Sequence, residues 1–284
     1  MPPRGHCLIM STALVRSNTP WYTERPRRPG VAGAHRWGDM SSRGNHWGCS
    51  QSRQSLLQIF DLLRSSYGPQ HWWPGDSPFE VIVGAVLTQN TAWHNVAQAI
   101  ANLKREGLLQ PAALLQAEPD TVKALLAPAG YYNIKYDRLM SLLRFLDRYG
   151  ADLERLRSLP LDGLRAELLE VKGVGPETAD SILLYALGLP VFVVDAYTRR
   201  LFSRLGYEWM QKASYGEVQG FFMEALPQDT ALYNEFHALI VVHSKDACKK
   251  KPLCEGCCLR SLCAALGRSE SESCVGLLPG GHVK

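Results

Sequence analysis

Apolar residues recur along most of this chain with the period of a buried helix face, and almost nowhere with the alternation of a strand. From Ser55 the positions Leu56, Ile59, Phe60 and Leu63 follow the i, i+3, i+4, i+7 spacing that lines one side of a helix, and Gly68-Pro69 ends it. Ser77-Pro78-Phe79-Glu80 reads as a capping box with proline at the first helical position. Val81 to Leu87 follows it, apolar nearly all round, and is predicted to be a central, buried helix. Further helical patterns are predicted at Val96 to Leu103, Thr121 to Leu126, Leu139 to Leu146 and Leu161 to Leu169, separated by Gly and Pro, and later near Tyr215 to Leu226 and Thr230 to His243. The expected class is all-α.

Between these patterns, Leu168 to Arg200 concentrates the chemistry. An apolar helix end runs into Gly173-Val174-Gly175, where two glycines permit a tight turn and close approach of another backbone. Pro176 opens a second helix, where its missing N–H costs nothing, and the remaining free N–H groups of that helix start suit a phosphate. The helix carries Ala179, Ile182, Leu183 and Ala186 at core spacing and stops at Gly188. The apolar run Leu189 to Val194 then delivers Asp195 to the start of a further helix, Ala196 to Leu205. Helix N-terminal N–H groups should keep that carboxylate ionised at the edge of the core. Either feature has an ordinary use: a GxG turn connects many helices, and an Asp at a helix start is often a simple N-cap.

Cys248, Cys254, Cys257 and Cys263 form C-x5-C-x2-C-x5-C. Four thiolates so close in sequence suit an iron-sulfur cluster or a structural zinc. Disulfides are the weaker reading, because dense cysteines without a signal peptide suit a reducing compartment. Cys258 is an extra thiol beside a ligand; Cys7, Cys49 and Cys274 read as unpaired.

Charge changes the picture only at one end. The 284 residues carry net +4, but residues 1–50 hold seven Arg and two acids, net +5, which leaves 24 basic and 25 acidic residues, net −1, elsewhere. Residues 1–50 lack periodicity and are expected to be a disordered basic extension. They would serve as an organellar transit peptide, as a salt-sensitive nucleic-acid contact, or as sequence upstream of a true start at Met40. Residues 266–284 are expected to be a flexible tail. No run approaches membrane-span length, so no membrane partner is expected.

The hairpin GVG with Asp195 and the cysteines resembles the helix-hairpin-helix DNA glycosylases of the endonuclease III superfamily, over roughly Leu56 to Cys263. The resemblance implies a helical barrel domain over 76–189 and a helical domain from 51–75 plus 190–265 carrying a 4Fe-4S cluster on Cys248, Cys254, Cys257 and Cys263. The family spacing is C-x6-C-x2-C-x5-C, so the first gap here is one residue short. By the same resemblance Gly173, Val174 and Gly175 bind a DNA phosphate, with a monovalent or divalent cation between them, and Asp195 is the catalytic carboxylate. Gln89 matches the family residue that fills the hole left by the flipped nucleotide. Lys249, Lys250 and Lys251 beside the cluster loop would meet the DNA backbone, although a solvated charge run is the plainer reading of any one of them. Tyr131, Tyr132, Asn133 and Lys135 match a family helix start and read as structural.

Bifunctional members carry a Schiff-base lysine two residues after the second hairpin glycine, where this chain has Glu177. A carboxylate cannot form the imine; Lys172 lies on the other side of the turn. Trp72-Trp73-Pro74, with Trp93 nineteen residues after the proline, and the hairpin GVGPETAD resemble the 3-methyladenine DNA glycosylase III class, whose members need not carry the cysteine cluster. Those aromatics would hold a flipped base, though most Trp residues are simply core. The expectation is therefore a monofunctional glycosylase that hydrolyses an alkylated purine such as 3-methyladenine from double-stranded DNA and acts as a monomer. It would be cytoplasmic and nucleoid-associated in a prokaryote, with organellar or nuclear targeting by residues 1–50 left open. The rivals are an endonuclease III-like oxidised-pyrimidine glycosylase/lyase, disfavoured by Glu177, and a non-catalytic DNA-binding iron-sulfur module. An adenine-mismatch glycosylase is disfavoured because Ala85 stands where that group keeps a catalytic glutamate.

Overall fold

The computed structural model describes residues 49–72 and 75–266, and no strand occurs among them. The expectations for residues 1–48 of the basic extension, for Trp73 and Pro74, and for the tail beyond 266 lie outside the described residues, whereas Cys49 and Ser50 belong to the first helix. In chain order the helices are α1 (Cys49–Tyr67), α2 (Pro78–Leu87), α3 (Trp93–Arg105), α4 (Pro111–Gln116), α5 (Pro119–Leu126) and α6 (Tyr132–Asp147). They continue as α7 (Leu153–Arg157), α8 (Leu161–Leu169), α9 (Pro176–Ser181), α10 (Ala196–Arg204), α11 (Tyr215–Ala225) and α12 (Thr230–Asp246). The short α4 and α7 carry too few apolar positions to show a period, and each is placed by one buried leucine, Leu114 or Leu156.

Helix α2 is apolar all round because it is surrounded: Phe79 to Leu87 are all buried, against α3, α6, α9 and the turn after α9. Its start departs from the expected capping box. Ser77 accepts from the Glu80 N–H at 3.2 Å, but the Glu80 carboxylate turns to the Asp76 N–H at 2.9 Å and to Lys104 at 2.8 Å. An ammonium on α3 thus outcompetes the reciprocal cap. The complete box forms at Ser214 and Glu217, where the same spacing starts α11.

A second departure lies in the helix after the hairpin. It is α-helical only to Ser181 and continues as a π-helical turn over Ile182–Ala186, all five side chains buried. The sequence gives no sign of this, because one residue of extra winding leaves the apolar spacing intact.

Helix α1 packs on α11 and α12, and α10 on α12. Here the core is aromatic: Phe192 stacks on Phe222 at 4.1 Å between ring centroids and meets Tyr233 and Phe236 edge-on. Such pairs add about 0.5–1.5 kcal/mol each beyond their buried area. They fix the Leu189–Val194 run that leads to Asp195. No helix of the described residues is long and apolar enough to cross a membrane.

Candidate functional site

The residues of GVGPETAD divide their work. Gly173 has φ +87°, and a Cβ there would lie 2.2 Å from Arg138 Cγ, so both its conformation and its space require glycine. Gly175 differs: its φ of −94° is open to any residue, and a Cβ would meet nothing within 4 Å. The Val174 N–H is not an outward donor, since it bonds Val171 O at 3.0 Å and its side chain is buried. Asp180, fully buried, takes a two-pronged ion pair from Arg165 of α8 at 2.7 and 3.0 Å and a further bond from Gln219 of α11 at 2.7 Å. Paired charge and filled lone pairs are what make burial of a carboxylate tolerable, and this one locks α8, α9 and α11 together.

Gln89 lies against the hairpin. Its amide nitrogen donates to Gly173 O at 3.0 Å and to Thr178 Oγ1 at 2.9 Å, while its oxygen accepts from Arg138. One turn earlier in α6, the buried Lys135 ammonium donates to Leu87 O at 2.8 Å, Ala129 O at 2.7 Å and Thr91 Oγ1. Burial, with the Arg138 charge adding to it, pulls that lysine down to about 8. Lys135 is structural, as expected, and ties the α2–α3 loop to the turn before α6. That turn holds Tyr131 in the left-handed region at φ +47°, with 71% of the residue exposed. A strained, exposed aromatic is not a packing residue, which corrects the structural reading of Tyr131 made from its place at the helix start.

Asp195 caps α10 with Oδ1, accepting from Thr198 N at 2.7 Å and Thr198 Oγ1 at 2.9 Å, and its side chain is 11% exposed. Its Oδ2 stands 3.5 Å from His237 Nε2 of α12. Burial alone would raise its pKa, but the nearby His237 and the bonds from Thr198 outweigh burial and hold it below the usual carboxylate range. Glu177 is its electrostatic neighbour. Crowding by protein and the Asp195 charge push Glu177 up to about 7, with His237 opposing; water reaches this exposed residue and screens part of the shift. One carboxylate is thus kept charged beside another that tends to hold a proton, an arrangement able to stabilise positive charge on one side and exchange a proton on the other.

Lys245, two turns after His237 on α12, also couples to Asp195, and its ammonium lies 5.8 Å from the rings of both Trp72 and Tyr197. Neither Lys245 nor Tyr197 was expected here, because helical residues reach a site only through tertiary contact. Trp72 and Trp93 are each partly buried against the core, Trp93 as the first residue of α3.

Cys248, Cys254, Cys257 and Cys263 all border one cavity of about 120 Å³, together with Leu201, Leu259 and His243. Among the described residues no three His, Cys, Asp or Glu side chains stand close enough to hold a single metal ion. Four thiols around one cavity are a donor set of the kind that holds a thiolate-ligated metal group. Cys258 is not on the cavity: its sulfur lies 4.0 Å from His243 Nδ1. Arg204 donates to Cys248 Sγ at 3.1 Å and to the carbonyls of Lys249 and Lys250 at 2.7 and 3.0 Å, and all three lysines of that run remain exposed.

Residues 83–228 match the HhH-GPD superfamily of base excision DNA repair proteins. The chain is 48% identical over 212 residues to a candidate DNA repair glycosylase of Methanocaldococcus jannaschii, covering 74% of this chain and 96% of that protein. It is 31% identical over 188 residues to endonuclease III of Thermotoga maritima, covering 66% and 82%. Among solved structures, the Helicobacter pylori 3-methyladenine DNA glycosylase bound to 1,N6-ethenoadenine is similar with a TM-score of 0.54 at 30% identity, over 68% of this chain and 97% of that one. An endonuclease III–DNA complex shares the fold, with a TM-score of 0.64 at 24% identity over 76% and 97%.

Proposed function

Because the chain belongs to the HhH-GPD superfamily of base excision DNA repair proteins, we propose that this DNA glycosylase is monofunctional, hydrolysing the glycosidic bond of an alkylated purine such as 3-methyladenine flipped out of double-stranded DNA. The observation that carries the reading is Glu177 beside Asp195. No amine stands at the hairpin position from which bifunctional relatives attack the sugar, and a carboxylate does not form an imine. Asp195, held ionised, stabilises the oxocarbenium-like sugar and aligns water. An alkylated purine is already cationic and leaves readily, so the protein needs little acid catalysis. The likeness to the 3-methyladenine glycosylase supports a modified purine as the substrate.

Trp93 is the proposed stacking surface, since Lys245 covers one face of Trp72 and would repel a cationic base there. Gln89 fills the gap left by the flipped nucleotide and exposed Tyr131 presses on neighbouring bases. Gly173 and Gly175 grip a phosphate, with a cation between them, while the Val174 N–H stays bonded to Val171 O. Cys248, Cys254, Cys257 and Cys263 hold a 4Fe-4S cluster, which presents Lys249, Lys250 and Lys251 to the DNA backbone and takes no part in bond cleavage.

Duplexes carrying single lesions test this, scored for base release and for strand breaks before and after alkali. Release of 3-methyladenine with breaks only after alkali, and no borohydride-trapped complex, is the expected outcome. Excision of thymine glycol with no action on alkylated purines would remove the substrate reading. The lyase alternative draws on the likeness to endonuclease III and on Lys245, an amine coupled to Asp195. A trapped complex in the wild type, lost in Lys245→Ala, would select it.

A further inference from the structure

Behind Asp195 lie two buried polar side chains that the proposed chemistry does not use. Tyr185, on the π-helical turn, is 4% exposed and its hydroxyl hydrogen-bonds His237 Nδ1; His237 is 5% exposed. The other ring nitrogen, Nε2, is buried, has no partner within hydrogen-bonding distance, and points at Asp195 Oδ2 across 3.5 Å. A buried N–H left short of a partner is costly, and native interiors rarely tolerate one without use. Gaps of this size beside a reacting group close when substrate is bound.

We infer that Tyr185 and His237 are positioning residues for the glycosylase reaction, the Tyr185 hydroxyl fixing the imidazole so that its Nε2–H is aimed at Asp195 Oδ2. This rests on the role proposed for Asp195. The Tyr185 hydroxyl donates its proton to Nδ1, which leaves the ring proton on Nε2. Asp195 is then held at both oxygens, Oδ1 by Thr198 and Oδ2 by His237, with its charge turned toward the sugar. The π turn is what aims Tyr185: the extra residue rotates every side chain after it, and such turns gather at functional sites. Asp195, Glu177 and Tyr185 face His237 from other elements, and Lys245 shares its helix.

The test uses the full chain. In single-turnover release of 3-methyladenine, Tyr185→Phe, which preserves the buried ring, is expected to slow the reaction roughly ten- to a hundredfold, the rate equivalent of one hydrogen bond to a charged group, without changing affinity for abasic-site DNA. The acid limb of the rate should move to higher pH, because a carboxylate that loses a donor is more easily protonated. Repeating the profile in Glu177→Gln removes the other carboxylate from that limb. His237→Gln, which keeps an N–H near Nε2, should retain more activity than His237→Leu. Long-range nitrogen–proton correlation spectra of the wild type, with His237 identified by its loss in His237→Gln, should show the proton on Nε2 alone. A proton on Nδ1 at the assay pH overturns the inference, as does Tyr185→Phe with the wild-type rate and pH profile. If Asp195→Asn is also fully active, the reading of Asp195 itself fails; if it is inactive while Tyr185→Phe behaves as wild type, only the positioning role fails.

Discussion

Gln89 donates to the carbonyl of Gly173 across 3.0 Å, so the loop after α2 and the hairpin turn are joined by a side chain rather than by backbone. Arg138 completes the join from α6, accepted by the Gln89 oxygen and packed where a Gly173 Cβ would go. Every polar atom of the Gln89 amide is engaged with protein, so Gln89 must leave these partners to enter DNA, and a phosphate at the hairpin competes for Arg138. Arg138→Ala is expected to weaken DNA binding and flatten its salt dependence by about one counterion, with little loss of thermal stability. Anisotropy titrations across salt check this; an unchanged slope would mean that Arg138 serves Gln89 alone.

Gly173→Ala should be the more damaging change. It places a Cβ on Arg138 and forces φ +87° on a residue that resists it, a strain on the order of 1–3 kcal/mol. Gly175→Ala, with an ordinary φ and open space, should leave urea-unfolding stability near wild type while lowering affinity where a phosphate approaches. Equal stability losses in the two variants would contradict the different backbones of the two glycines.

The carboxylate pair makes stability depend on pH in opposite senses. Glu177 is raised in the folded protein, so folding favours its protonated form; relative stability is greatest below the ordinary carboxylate pKa and is lost as pH rises through about 7. Asp195 is depressed, so its contribution is present above the ordinary carboxylate pKa and is lost as pH falls through the folded value. Glu177→Gln should therefore match wild type in mild acid and melt higher above neutrality. A gain in Tm that does not grow between pH 5 and 8 would show that Glu177 carries no such shift.

Asp195→Asn keeps the Thr198 cap in shape but removes the charge. It should bind lesion DNA as the wild type does and lose at least about two orders of magnitude in single-turnover rate, the scale for removing one electrostatic stabiliser. A rate within a few-fold of wild type would place the stabilising charge elsewhere, with Glu177 the first candidate.

Purified protein should be yellow-brown, with iron and inorganic sulfide in equal amounts. Cys257→Ser should lose colour, stability and DNA affinity together, because ligation energy is folding energy. Colourless protein with stoichiometric zinc would refute the cluster. Cys258→Ser, lying off the cavity, should keep its colour.

Much of this was legible in the chain. Helix positions followed from apolar period, because a helix face must be buried whatever it is buried against, and the burial of α2 followed from its lack of a polar side. The hairpin and Asp195 were legible because a left-handed glycine, a proline at a helix start and an N-cap are local demands of the backbone. Asp180 was part of the motif, yet its reason was not: only the fold brings Arg165 and Gln219 onto it.

What the sequence determined by itself was the helical class, the residues offered for chemistry and the missing hairpin lysine, all of them matters of residue type and near-neighbour spacing. Tertiary structure alone decided which of those residues meet. His237, Tyr185, Lys245 and Tyr197 come to Asp195 and to Trp72 from segments far apart in the chain, and a π turn invisible to hydrophobic period aims one of them. Glu177 and Asp195 belong to the same group, since the charge of Glu177 depends on Asp195 and His237 and that of Asp195 on His237 and Thr198. Electrostatic coupling depends on distance through space, and chain order does not encode that distance until the core has packed.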